Sequence, residues 1–169
     1  MLGRVVSVNV SETKGTIKSP VNEAELRREH GILGDVHAGT GNRQVSMLAI
    51  ESVRRLQQQF EGKQQELPKC NSLNAVPHFT LKPGSFAENL TTEGIDLPAL
   101  QIGTRLQIGD TLLAVSQIGK ECHRGCEIMK LIGDCVMPRE GIFVRVIRNG
   151  TIRPGDEIFI DERSNSDNQ

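Results

Sequence analysis

Beyond Pro83-Gly84 the chain breaks into short runs punctuated by glycine, and this punctuation limits the fold more than any other feature. The runs Asn89 to Thr92, Arg105 to Ile108, Leu112 to Ile118, Ile142 to Ile147 and Glu157 to Ile160 read as short strands. Repeated short strands with turn signals between them indicate a barrel or a sandwich, so the expected fold class is mainly β with a few short helices. An internal echo agrees: Gly109-Asp110 and Gly155-Asp156 each follow a short strand and precede an apolar one, as tight turns do. Asn149-Gly150 is a hairpin signal, because both residue types tolerate positive φ.

Upstream, Val6, Val8 and Val10 alternate with Ser7 and Asn9, which predicts a half-buried strand. A polar stretch follows from Ser11 to Pro20. Asn22 to His30 carries helix-compatible residues without a long apolar face and ends at Gly31, so its state stays open. Ala49, Val53, Leu56 and Phe60 recur at spacings of four, three and four, placing one apolar stripe on a helix that Gly62 can terminate. Residues 61–78, rich in Gln, Lys, Asn and Pro, read as a surface loop carrying Cys70, to which no role is assigned. At 169 residues the chain suits one domain, expected over 1–162, with 163–169 a disordered tail.

Lys and Arg total 20 against 21 Asp and Glu, a formal charge of -1, so no electrostatic footprint for nucleic acid or an anionic membrane exists. Aromatics make up only 3%, too few for base-stacking platforms. No apolar run approaches the roughly 20 residues of a membrane span. Met1-Leu2-Gly3-Arg4 leads straight into a strand pattern without a signal-peptide core, so a cytoplasmic location is expected. In that reducing compartment four cysteines are expected as thiols, metal ligands or redox groups, not as a disulfide framework.

Three of them crowd one window, Glu121-Cys122-His123-Arg124-Gly125-Cys126 and then Cys135. Cys122 follows a predicted strand and Gly119-Lys120, which puts it on a loop rim. Lys120, Arg124, Lys130 and Arg139 would favour its thiolate, the form that attacks sulfur or binds a soft metal. A lone loop cysteine is more often inert, but the flanking cations and two neighbouring cysteines favour a functional thiol here. Cys122, His123, Cys126 and Cys135 also offer soft ligands for structural zinc or an iron-sulfur cluster, although the spacing lacks the paired knuckles of a zinc ribbon. A second window, Gly34 to Gly41 followed by Arg43, offers glycines for close backbone approach, free N–H groups and a guanidinium suited to phosphate or carboxylate. Asp35 and His37 could equally bond local backbone in a turn. Glu88 and Asn89 read as a hydrogen-bonding pair at a strand edge, and Met47 as core.

Taken together, these segments resemble the MOSC domain, the module related to the C-terminal part of eukaryotic molybdenum cofactor sulfurases. The resemblance rests on Gly34-Asp35-x-His37-Ala38-Gly39 with Arg43-Gln44-Val45-Ser46, then Phe86-x-Glu88-Asn89-Leu90-Thr91. It continues through Gly103-Thr104-x-Leu106-x-Ile108-Gly109-Asp110, Cys122 and Gly141-Ile142-Phe143-Val144-Arg145-Val146 to Gly155-Asp156. It spans roughly Gly3 to Ile160 and is closest to the small stand-alone bacterial type. It implies a barrel-centred β fold and a pocket for molybdenum cofactor (molybdopterin) or its precursor. Cys122 matches the family's cysteine, which carries sulfur as a persulfide or ligates molybdenum. Gly34, Asp35, His37, Gly39, Arg43, Asn89, Lys120 and Arg124 become candidate cofactor-binding residues. Cys126 and Cys135 stand as further metal candidates. Implied partners are proteins of cofactor biosynthesis or molybdoenzymes and a sulfur donor. A molybdenum-dependent reductase of N-hydroxylated compounds, served by a separate electron donor, is the alternative activity; a non-enzymatic zinc or iron-sulfur module is the other.

Overall fold

The computed structural model describes residues 2–66, 80–121, 129–130 and 133–161. Its first strands are β1 (Gly3–Val10), β2 (Ser19–Val21), β3 (Ala24–Arg27), β4 (Gly31–Ile32) and β5 (Val45–Ala49). Helix α1 (Ile50–Glu66) and β6 (Leu90–Glu93) follow, then a 3-10 turn at Leu97–Ala99. The remainder comprises β7 (Arg105–Ile108), β8 (Thr111–Ile118), the short helix α2 (Met137–Glu140), β9 (Ile142–Arg148), β10 (Gly150–Ile152) and β11 (Glu157–Ile160).

Seven strands close a barrel in the order β11-β7-β8-β9-β5-β6-β1, with β11 returning to pair β1 through Gly3↔Ile158 and Arg4↔Glu157. Closure removes the open edges that a sheet of short strands would otherwise expose. The fold is therefore the mainly β barrel expected. Alternation sorts the side chains: Ile142, Val144 and Val146 of β9 join Leu106, Ile108, Leu113 and Met47 in the barrel cluster, while Phe143 faces outward. A small sheet, β10-β3-β4, adds Leu26, Ile32 and Ile152 to the same cluster. Among the described residues the one parallel pair, β5 with β6, needs a crossover, and α1 supplies part of it. Val53 and Leu56 of α1 bury against Leu48, Phe86 and Phe143 in a second cluster outside the barrel. That leaves β5 buried on both faces, which its sequence Val-Ser-Met-Leu-Ala permits.

Several local expectations change. Gly62 does not end α1, which runs on to Glu66; an exposed helix tolerates an internal glycine at about 1 kcal/mol. The expected loop over 61–78 thus starts inside the helix, and its remainder, with Cys70, lies outside the described residues. The open segment Asn22 to His30 contains β3, because Ala24 and Leu26 alternate inward. Asn149-Gly150 forms no hairpin with β9: β10 pairs with β3, and Asn149 Oδ1 accepts the Arg28 N–H at 2.7 Å. Gly150 is required by proximity, since a Cβ there would stand 2.7 Å from the Asp110 carbonyl carbon. In β1 a bulge between Val5 and Ser7 breaks the alternation, and Ser7 and Asn9 are buried along with Val8. The predicted tail lies outside the described residues. Among the described residues no helix is long and apolar enough to cross a membrane.

Candidate functional site

The buried polar residues of β1 begin a seam that runs across to β6. Ser7 Oγ donates to Asn9 Oδ1 at 2.7 Å, Asn9 Nδ2 to Thr91 Oγ1 at 3.1 Å, and Thr91 Oγ1 to Glu88 Oε1 at 2.8 Å. Glu88 is fully buried and also accepts the N–H groups of Gly84 (2.7 Å) and Phe86 (3.1 Å). Burial pushes its carboxyl above the usual range against those bonds. Asn89 Oδ1 accepts from Ser46 N and Oγ, and its Nδ2 donates to Asn9 O at 3.2 Å. Glu88 and Asn89 thus pin the 84–89 loop to the barrel. The structure buries Asn89 among its own partners and does not present it to a ligand.

That pinned loop holds Lys18 in turn. The Lys18 N–H donates to Gly84 O at 3.0 Å, and Gly84 adopts φ +86°, with Lys18 O 2.2 Å from where a Cβ would be. Only glycine fits both demands. Lys18 is 1% exposed, its ammonium bonded to Asp35 Oδ1 and lying 3.1 Å from His37 Nδ1 and 3.4 Å from Ser11 Oγ. Burial lowers the Lys18 pKa, while Asp35 and Glu88 work in the opposite sense. Asp35 is also buried and accepts the N–H groups of Ser11 (3.1 Å) and His37 (3.0 Å). Burial alone would raise its carboxyl, but His37 and Lys18 hold it well below the ordinary range.

Above this ion pair opens a cleft of about 470 Å³. Its walls come from Lys14 after β1, the Val36–Thr40 and Asn42–Arg43 backbone and side chains, and Gln117 of β8. Arg43 Nε donates to Gln117 Oε1 at 3.0 Å, and its guanidinium lies 5.4 Å from the Phe143 ring centroid. Gln117 Nε2 donates to Gly119 O at 2.8 Å, and Ser116 Oγ bonds both Asn42 O and Phe143 O. The mouth of the cleft is thereby tied to the end of β8.

Of the sequence candidates, His37, Gly39 and Arg43 line the cleft together. Gly34 sits beside it on an exposed turn at φ +80°. Asp35 faces inward. Over Asp35 to Gly39 the expected backbone anion nest is not formed, because those five N–H groups are spent locally. Asp35 N donates to Ile32 O, Val36 N to Ser11 O, His37 N to Asp35 Oδ2, Ala38 N to Asp35 O and Gly39 N to His30 O. The donors that the cleft offers are therefore chiefly side chains: Lys14, His37, Asn42, Arg43 and Gln117. Lys120 is half-buried past the end of β8. Cys135 is 5% exposed within the second apolar cluster, and among the described residues no group of three His, Cys, Asp or Glu could hold a metal. Cys122, His123, Arg124 and Cys126 lie outside the described residues. Sequence reasoning missed Lys14, Lys18 and Gln117. Lys18 sits in a polar stretch whose composition gives no sign that it is buried.

Several solved structures share this barrel. The YuaD protein from Bacillus subtilis is 20% identical, with a TM-score of 0.70 over 94% of this chain and 94% of its own. YiiM from Geobacillus stearothermophilus is 19% identical at a TM-score of 0.69, covering 97% of this chain and 77% of that one. YiiM from Escherichia coli is 20% identical at 0.61, covering 95% and 70%. At such identity these likenesses establish the fold. No curated protein is similar enough in sequence to count as a match. The sequence model of the MOSC domain matches residues 34–159, a span that contains the cleft loop, the pinned 84–89 turn, barrel strands β5 to β9 and all but the last residue of β11. With three quarters of its length inside that match, the chain belongs to the MOSC domain family.

Proposed function

We propose that this chain binds molybdenum cofactor or its precursor in the cleft beside His37 and Arg43, and that Cys122 carries sulfur or ligates the metal. The observation that carries the reading is the donor set: Lys14, His37, Asn42, Arg43 and Gln117 surround about 470 Å³ of space over a buried ion pair. When bound, the cofactor supplies a phosphate and a soft metal held through a dithiolene. Arg43 and Lys14 suit the first as charged donors, and Asn42 and Gln117 suit the polar edges of a pterin. Phe143 beneath the Arg43 guanidinium keeps that fork in place. A thiolate suits the metal. Gln117 lines the cleft and β8 ends at Ile118, four residues before Cys122, a length of chain that reaches at most about 14 Å.

The test is purification from a host with intact cofactor biosynthesis, under anaerobic handling and without reductant. Pterin, molybdenum and the masses of the cysteine peptides are then read. One added sulfur on Cys122 marks a carrier. Molybdenum that is lost in Cys122→Ser marks a ligand. Absence of pterin, molybdenum and persulfide together removes the basis of the proposal.

A further inference from the structure

The buried ammonium under the cleft has a consequence for the imidazole beside it. A protonated lysine only donates hydrogen bonds. Lys18 Nζ directs its three hydrogens among Asp35 Oδ1, Ser11 Oγ at 3.4 Å and His37 Nδ1 at 3.1 Å. His37 Nδ1 must therefore offer its lone pair. A neutral imidazole that accepts at Nδ1 carries its hydrogen on Nε2. Asp35 does not compete for an Nδ1 hydrogen, because Oδ2 is 3.7 Å away and instead accepts the His37 backbone N–H at 3.0 Å. The opposite arrangement, a neutral amine accepting from Nδ1–H, would leave a buried carboxylate without its counter-charge, which is the costlier state.

We propose that Lys18 is a positioning residue that holds His37 as the Nε2–H tautomer, so that the imidazole meets the cleft as a hydrogen-bond donor. The side chain of His37 is 41% exposed and lines the cleft with Lys14, Asn42 and Arg43. Around His37 the wall is then rich in donors, and the ligand group seated there is one with several acceptor oxygens, such as a phosphate. A ring nitrogen that keeps its hydrogen does not ligate a metal, which assigns His37 to the anionic part of a ligand. The proposal rests on the cleft being the binding site named above, yet the tautomer is readable with no cofactor present. Failure of one is thus separable from failure of the other.

The experiment is NMR of the full chain with nitrogen-15 histidine, unliganded and at neutral pH, with His37→Gln identifying the His37 signals. The expected pattern has a protonated Nε2 and an unprotonated Nδ1. An Nδ1–H or doubly protonated ring overturns the proposal. In Lys18→Met the His37 signals are expected to shift towards a mixture of tautomers; a folded variant that keeps the single Nε2–H form shows that Lys18 is not the cause. If that variant does not fold, the Lys18 side-chain nitrogen in the wild type decides, because a neutral amine there is equally fatal. Titration with inorganic phosphate is expected to move the Nε2 resonance saturably, and less so in Arg43→Ala. A resonance indifferent to phosphate refutes the assignment of ligand class.

Discussion

Gly84→Ala should cost far more than a positive-φ glycine ordinarily does, because two independent penalties meet at this residue. At φ +86° an alanine pays about 1–2 kcal/mol for its left-handed backbone. Its Cβ would also stand 2.2 Å from Lys18 O, a backbone atom that cannot swing aside like a side-chain tip. Relieving the overlap separates the two segments and breaks the 3.0 Å bond from Lys18 N to Gly84 O, leaving buried groups short of partners at about 1–3 kcal/mol. The stiffer unfolded chain returns about 0.4–1 kcal/mol. The net loss is about 2–4 kcal/mol, a large part of the roughly 5–15 kcal/mol that holds a domain folded. Gly103→Ala is the control: its φ is +92°, and nothing lies within 4 Å of its added Cβ. Only the backbone penalty applies there, about 1 kcal/mol net. With a urea m-value of about 2–3 kcal/mol/M, the unfolding midpoint should fall by about 0.7–2 M for Gly84→Ala and by about 0.3–0.5 M for Gly103→Ala. Equal falls would refute the claim that close approach to Lys18, over and above φ, demands glycine at 84.

Three further outcomes follow from the same geometry. Lys18→Met should destabilise by about 3–5 kcal/mol by stranding the Asp35 charge, and Lys18→Met/Asp35→Leu should lose much less than the two single changes summed; additive losses in a denaturation cycle would show that the pair is not coupled. The folded Asp35 carboxyl is held below its ordinary value of 3.8, so the unfolded chain takes up more protons on acidification; the stability it supplies is present at neutral pH and is lost as pH falls through and below that value. The wild type's advantage over Asp35→Asn in urea midpoint should therefore shrink between pH 7 and acid, and a constant gap would contradict the assignment. Leu113→Ala, at a fully buried position in the barrel cluster, should cost about 2–5 kcal/mol in the same assay, and a loss under about 1 kcal/mol would mean the interior collapses around the gap.

The strands at Arg105–Ile108, Thr111–Ile118, Ile142–Arg148 and Glu157–Ile160 were legible because period-2 patterning and glycine turns are local signals. For the same reason the apolar stripe of α1 and the loop carrying His37 and Arg43 stood out from residue order alone. What local pattern cannot contain is which segments touch. Lys18 reads as one more polar residue until the 84–89 turn clamps it, and only then does a pair 17 residues apart become a buried salt bridge. The N–H groups of the glycine-rich loop looked available for an anion until folding brought His30 O and Ser11 O against them. Asn149-Gly150 carried a hairpin signal, but β3 offered the partner edge and β10 took it. The sequence by itself determined a run of short strands suited to a barrel or a sandwich, and a glycine-rich loop whose composition suits an anion as well as a plain turn. Tertiary closure decided which polar groups face the cleft and which are consumed inside, because burial and pairing arise only when distant segments meet and exclude water.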